Sequence, residues 1–315
     1  MIKTLAFQRE SSPACFGEVG AHRQRRRIKE WIIGRGLFLA AASSVLVTIG
    51  IVGVLIYESA AFFRHVSLRE FLTERQWTPL FADARYGILP LVAGTLVTTF
   101  VALLVAIPIG TISALWLSEY AHRRLREIIK PAIELLSAIP TVVFGYFALL
   151  FVTPLLQRVM PDLPGFNMLS AGIVIGIMVV PYVTSLGEEA MRFVPLALRE
   201  GAYALGATRI QVAWRIVFPA ALSGITASYI LTISRALGET MIVAVAAGMQ
   251  PSFTLDPTKP AATITAYIVQ VSLGDLPHNS IGYQSIFAAG LTLMAMTLSL
   301  NVLGYIIQRR YREVY

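Results

Sequence analysis

The sequence predicts an all-α membrane protein of six transmembrane helices, and three observations carry that expectation. Charged residues form 14% of the 315-residue chain and hydrophobic residues 56%, at a mean hydropathy of +0.68, whereas an ordinary globular domain is roughly one quarter charged. Six runs with few or no charges are each long enough, at about 1.5 Å per residue, to cross about 30 Å of hydrocarbon. The lysines and arginines fall mainly in alternate connections between those runs.

The chain opens with a polar tail, residues 1–36, that holds RQRRR at 23–27 and the single cysteine, Cys15. One cysteine makes no internal disulfide, and no zinc or redox spacing surrounds it, so it reads as an incidental thiol. The first span, 37–57, is too long for a signal-peptide core and has no small-residue cleavage site after it, so it is expected to be retained. Residues 58–87 carry Pro79 and read as a folded loop. The second, third and fourth spans are 88–117, 131–157 and 169–187. Pro108, Pro140, Pro154 and Pro181 lie within or near them, where neighbouring helices or water must rebond the freed backbone. Gly172 and Gly176 form a GxxxG seam that lets another helix approach closely. The fifth span, 219–248, follows a polar loop, and the segment 249–283, rich in proline, again reads as loops or short helices. The sixth span is 284–308, followed by a tail at 309–315, so 37–308 form one membrane domain.

Orientation follows from charge. Of the 26 lysines and arginines, nineteen lie in the two tails and in the loops around 123–130 and 192–215, six lie on the opposite side, and Arg235 lies within a span. Loops rich in lysine and arginine stay in the cytoplasm, which places both termini there. The net charge of +8 and a pI near 9.8 are thereby explained by topology and by attraction to anionic lipid, with no need for nucleic acid.

The cytoplasmic loop before the fifth span, REGAYALGATRIQVAWRIVFPAAL from Arg199, mixes polar and apolar residues. It predicts one short helix ending near Leu205, a break at Gly206, and a second helix opened by Thr208, with Gln211 completing a capping box and Pro219 ending that helix or beginning the next. Leu198, Leu205, Ile210 and Trp214 supply the apolar anchors that a helical plug needs to enter a partner's groove, although the same pattern also suits a loop folded onto its own bundle. Glu200, Ala202, Gly206, Ile216 and Pro219 match in type and spacing the EAA loop of permease subunits in bacterial ABC importers, with Gly201 and Phe218 as small departures. The resemblance implies a type I ABC importer permease fold in the bacterial inner membrane. It also implies that the loop, about 199–219, docks on a separate ATPase subunit.

One span carries charge. Ser234 to Met241 read SRALGETM, inside a run otherwise apolar, small or hydroxylic. An arginine at the bilayer centre costs about 2.5–3.5 kcal/mol, whereas an exposed i,i+4 ion pair returns only about 0.3–0.5 kcal/mol. Local stabilisation therefore leaves Arg235 and Glu239 unexplained. Helical spacing puts Ser228, Thr232, Arg235 and Glu239 on one stripe, a face suited to a wet anion path. A guanidinium matches two oxyanion oxygens at once and is never titrated away, and a carboxylate can accept a hydrogen bond from the acidic protons that phosphate still carries near neutral pH, whereas sulfate offers none. The alternative is a buried network tying this span to a neighbour, with Glu134 as a third member.

RALGETM, together with IPTVVFGY at 139–146 and Gly94, Thr95, Thr98, Thr99, Pro108 and Gly110, resembles phosphate importers, the C-type permease more than the A-type. The likeness runs from about Leu89 to the C-terminus. Sulfate and molybdate permeases have a related motif, usually with an aromatic where Thr240 stands, and remain the alternative. The resemblance implies a homologous second permease (A-type), two ATPase subunits and an external phosphate-binding protein as partners. No cofactor is expected on this chain, ATP and magnesium being used by the ATPase.

No GxxxxGK[ST], HExxH or GxSxG motif is present, so neither ATP hydrolysis nor the common zinc and serine hydrolytic chemistries are expected of this chain. A rival reading, an intramembrane enzyme using Glu239, Glu134 and His65 or His278 as acid and base, has both histidines in loops.

Overall fold

The computed structural model describes residues 14–81, 83–274, 276–277 and 280–310, with side chains described from Lys29 to Arg309 within those limits. The side chains of Cys15 and of RQRRR, and the whole of His278, lie outside the described residues. The described chain is helical, and four helices are long and apolar enough to cross a membrane, Lys29–Phe62, Leu89–Glu119, Met168–Arg192 and Ile281–Arg309. Two bent pairs bring the number to six if each pair is one crossing.

We number the helices α1 (Ala14–Phe62), α2 (Leu68–Thr73), α3 (Leu89–Glu119), α4 (Arg123–Ala138), α5 (Thr141–Gln157), α6 (Met168–Arg192), α7 (Leu196–Ala204), α8 (Arg209–Ala220), α9 (Leu222–Leu237), α10 (Ile264–Ser272) and α11 (Ile281–Arg310). Residues up to Val54 form one compact unit and those from Leu55 another. In the first, the most apolar stretch of α1 is wholly unburied, with Leu37, Phe38, Leu46 and Ile51 exposed, as expected of a helix solvated by lipid.

Two expected spans are not single rods. The third breaks at Ile139–Pro140, where α4 and α5 meet at 87°. Proline drives the residue before it out of the helical region, and Ile139 is extended, with φ −70° and ψ 131°. The first half of α4 carries Arg123, Arg124, Arg126, Glu127 and Lys130, and none of its residues is buried. A strongly charged face opposite an apolar one suits a helix lying along the membrane surface. The fifth expected span is bent by 71° at Ala221, between α8 and α9, and is interrupted again after Leu237.

From Leu55 onward three apolar clusters stack along the bundle. The outer one joins Phe62, Phe71, Trp77 and Tyr267, whose rings meet edge to face, with Trp77 and Tyr267 5.0 Å apart. The middle cluster surrounds α6, with Met168, Ile175, Met178 and Val179 packed on Ala102, Phe144 and Ala246. The third gathers Leu115, Met191, Ala202, Val212, Val217 and Ile225 around the loop that precedes the fifth expected span. The GxxxG seam is close, as expected: a Cβ on Gly176 would stand 2.7 Å from the Ala102 carbonyl oxygen, and one on Gly172 2.7 Å from the Val101 side chain. Small residues there let α3 and α6 pack backbone against backbone.

The inner end of α6 is tied to α4 by charge. Glu188 is fully buried, with Lys130 Nζ 2.9 Å from one carboxylate oxygen and Arg192 and Arg126 at 3.5 and 3.9 Å from the other. Lys130 also reaches Glu189 at 2.8 Å. Three turns are π-helical, at Ala148–Val152, Ala213–Val217 and Val243–Ala247. Such turns concentrate at functional sites.

Candidate functional site

The interruption after Leu237 places the charged motif. Gly238 ends α9, and the Glu239 N–H turns back to the Ala236 carbonyl at 3.2 Å in a tightened last turn. Helical bonding resumes when Ala244 N–H donates to the Thr240 carbonyl at 3.0 Å. A discontinuous helix frees backbone groups that a membrane cannot solvate, so other groups must satisfy them. Thr265 Oγ1 donates to the Glu239 carbonyl at 2.7 Å, and the Glu239 carboxylate accepts the Met241 N–H at 3.2 Å.

Arg235 Nη1 donates to Glu239 Oε2 at 2.9 Å. The two differ in setting: the Glu239 side chain is 2% exposed and that of Arg235 35%. Glu239 is therefore enclosed within the chain, while Arg235 remains partly exposed. The pair stands about 20 Å along α9 from the bend at Ala221, at about 1.5 Å per residue.

The other two residues of the expected stripe behave differently. Ser228 and Thr232 are fully buried, and their hydroxyls donate back along α9 to the carbonyls of Ile225 at 2.7 Å and Ser228 at 2.8 Å. Bonded in this way, neither offers a donor to an anion in this conformation. Glu134 does not join the pair; it accepts from Ser185 Oγ at 2.8 Å. His65 Nδ1 lies 3.2 Å from the Ala61 carbonyl on an exposed turn, away from Glu239 and Glu134. The sequence reading missed Thr95, Thr263 and Thr265 as neighbours of the break. Thr265 Oγ1 lies 3.1 Å from Thr263 Oγ1, and the Ile264 N–H donates to Thr95 Oγ1 at 3.0 Å.

The loop before the fifth expected span forms two short helices, α7 and α8, with Gly206 between them at φ +82°. That left-handed conformation carries no Cβ penalty only for glycine. Gln211 Oε1 accepts the Thr208 N–H at 2.8 Å, one arm of the expected capping box. Ala202 is buried under the loop and Ile216 and Pro219 are half-buried, while Glu200 is exposed. Leu205 is 91% exposed, and Leu198, Ile210 and Trp214 are exposed with it. The expected anchors thus project away from the bundle, on the face that Ala202 does not occupy.

A bent, multi-helix bundle with a broken, charged span and an apolar two-helix loop suits a membrane permease. Residues 106–313 match the family described as the binding-protein-dependent transport system inner membrane component, and the chain belongs to that family. It is a multi-pass bacterial inner-membrane protein, a permease subunit of an ABC importer.

A probable ABC transporter permease of Bacillus subtilis, YqgH, is 32% identical over 87% of each chain. The phosphate transport system permease protein PstC of Mesorhizobium japonicum is 33% identical over 86% of this chain and 88% of the relative. That of Xylella fastidiosa is 34% identical over 74% and 76%. Among solved structures, a bacterial ABC transporter that imports the acidic polysaccharide alginate matches with a TM-score of 0.64, over 92% of this chain and 100% of the other, at 19% identity. The MetNI methionine ABC transporter, in inward-facing form, matches with a TM-score of 0.53 over 72% and 95%, at 17% identity. These two likenesses are of fold.

Proposed function

We propose that this chain forms, with a homologous second permease, the membrane path for inorganic phosphate in an ATP-driven importer. The observation that carries the reading is the half-exposed guanidinium of Arg235 at a break in a membrane helix, held on one side by the enclosed Glu239. One arm of the fork is taken, and the ion pair is its one polar contact among the described residues. Broken helices with charged or polar groups at the break are where membrane transporters bind their substrates. Arg235 and Glu239 are assigned to the path. Ser228 and Thr232 are assigned to shaping the wall behind them. The likeness to phosphate permeases over most of the chain favours phosphate over sulfate or molybdate.

The complex has two ATPase subunits, which use ATP and magnesium; one of them docks on this chain's EAA loop at Glu200, Ala202, Gly206, Ile216 and Pro219, with both termini of this chain on the same cytoplasmic side. An external phosphate-binding protein delivers substrate to the opposite face. The permease domain spans 37–308, no cofactor is held by this chain, and phosphate crosses without covalent chemistry. Labelled phosphate uptake by the reconstituted complex, in competition with sulfate and molybdate, tests the reading. Uptake suppressed by excess sulfate or molybdate as strongly as by phosphate would overturn the substrate assignment.

A further inference from the structure

Arg199 stands beside the EAA glutamate but points the other way. Its Nη1 donates to the Val194 carbonyl at 2.9 Å, and its Nη2 donates both to the Met191 carbonyl at 2.8 Å and to Glu119 Oε1 at 3.0 Å. Met191 and Val194 lie at the inner end of α6, where a helix leaves carbonyls without intrahelical donors. Glu119 is the last residue of α3, with its side chain only 7% exposed. A buried carboxylate at a helix C-terminus faces the negative end of the helix and needs a cation close by. One side chain on α7 therefore grips the inner ends of both α3 and α6.

Those two helices are themselves packed backbone against backbone at the close glycine seam, the arrangement in which a displacement of one would carry the other. At the outer end of α3 a second attachment exists. Thr95 Oγ1 accepts the Ile264 N–H, and a Cβ on Gly94 would stand 2.3 Å from the Ala262 carbonyl oxygen. The segment so attached holds Thr265, which bonds the Glu239 carbonyl at the break in α9.

We propose that Arg199 is a positioning residue that fastens the cytoplasmic loop to the joined inner ends of α3 and α6, so that displacement of the loop is delivered through that pair to the helix break at Glu239. The inference rests on the coupling role given above to the EAA loop. It assigns to Arg199, Glu119 and Thr95 a task separate from ATPase binding, because all three face the bundle and not the exposed Leu205 and Trp214 surface. Packed helices joined by hydrogen bonds at both ends are one physical form in which coupling between distant sites travels.

The test uses the full complex in proteoliposomes with its binding protein, and reads labelled phosphate moved per ATP hydrolysed. Glu119→Gln keeps size and an acceptor oxygen for Arg199 but removes the charge. Thr95→Val releases the outer attachment without touching a buried charge. Both are expected to assemble with normal amounts of ATPase and to hydrolyse ATP, while phosphate per ATP falls at least about fivefold, the low end of couplings between linked sites. A wild-type ratio in either assembled variant overturns the proposal, and if Glu119→Gln is not recovered, Thr95→Val alone decides it. Gly206→Leu in the same preparation separates the premises: ATPase retained there removes the coupling role of the loop itself, and no uptake by the wild-type complex removes the phosphate reading.

Discussion

Arg235 and Glu239 are joined at 2.9 Å across the end of a helix rather than along its face, with the carboxylate enclosed and the guanidinium open. An arginine needed only to neutralise Glu239 could be replaced by lysine. An arginine that also holds an oxyanion could not, because lysine offers a point charge in place of a fork. Arg235→Lys is expected to lose one arm of a charged hydrogen-bond pair, about 1.5–3 kcal/mol, or about 10- to 150-fold in anion affinity. Labelled phosphate uptake in cells lacking other phosphate transporters, normalised to recovered complex, reads it. Wild-type uptake by Arg235→Gln would end the pathway role.

Glu239→Gln preserves an oxygen for the Met241 N–H but weakens the bond to Arg235. Insertion becomes slightly easier as a charge is removed from the span, so protein in the membrane should be undiminished while uptake falls several-fold. Undiminished uptake, with the preference for phosphate over sulfate intact, would make Glu239 a cap for the resumed helix and nothing more.

Gly206→Leu forces a branched side chain into a left-handed backbone, at about 1–3 kcal/mol for a strained position of this kind. The neighbourhood is open, with nothing within 4 Å of a Cβ there, so the strain falls on the turn between α7 and α8 and not on the core. The variant is expected to insert normally and to lose the ATPase in pull-down from solubilised membranes.

Lys130→Met leaves the buried Glu188 with only Arg192 and Arg126 for company, at 3.5 and 3.9 Å. Breaking a buried pair costs about 3–5 kcal/mol, and the low end applies because two cations remain. The detergent-solubilised protein should melt at a lower temperature, and adding Glu188→Gln should restore much of the loss. A single variant as stable as wild type would show that the other two arginines suffice.

Much of this was legible because the signals are local. Gly206 between two capped stretches, the GxxxG seam and the four long spans each declare themselves within a few dozen residues. The bends were not. Pro140 marks a possible break, but a 27-residue apolar run hides the fact that its first eight residues, Pro131 to Ala138, belong to a separate helix that opens on the charged stretch Arg123 to Lys130, because the boundary falls inside an amphipathic pattern. The stripe through Ser228, Thr232, Arg235 and Glu239 assumed an unbroken helix, and Gly238 ended it one residue too soon. The threonines that hold the break are distant in sequence from Glu239, Thr95 by more than a hundred residues, and ordinary in type. Only tertiary packing brings them there.

The bends also change the thickness of the barrier. Thr141–Gln157 and Leu222–Leu237 hold 17 and 16 residues, about 25 Å each at 1.5 Å per residue, against about 30 Å of hydrocarbon in an average bilayer. Both border the break, since Gly145 of α5 abuts the Met241 carbonyl and only Gly238 separates Leu237 from Glu239. Lipid beside short helices must thin, at fractions of a kcal/mol per ångström of mismatch. Acyl-chain length is therefore expected to act first at these two short helices, and membranes of longer lipids should tax transport while leaving the long helices at ease.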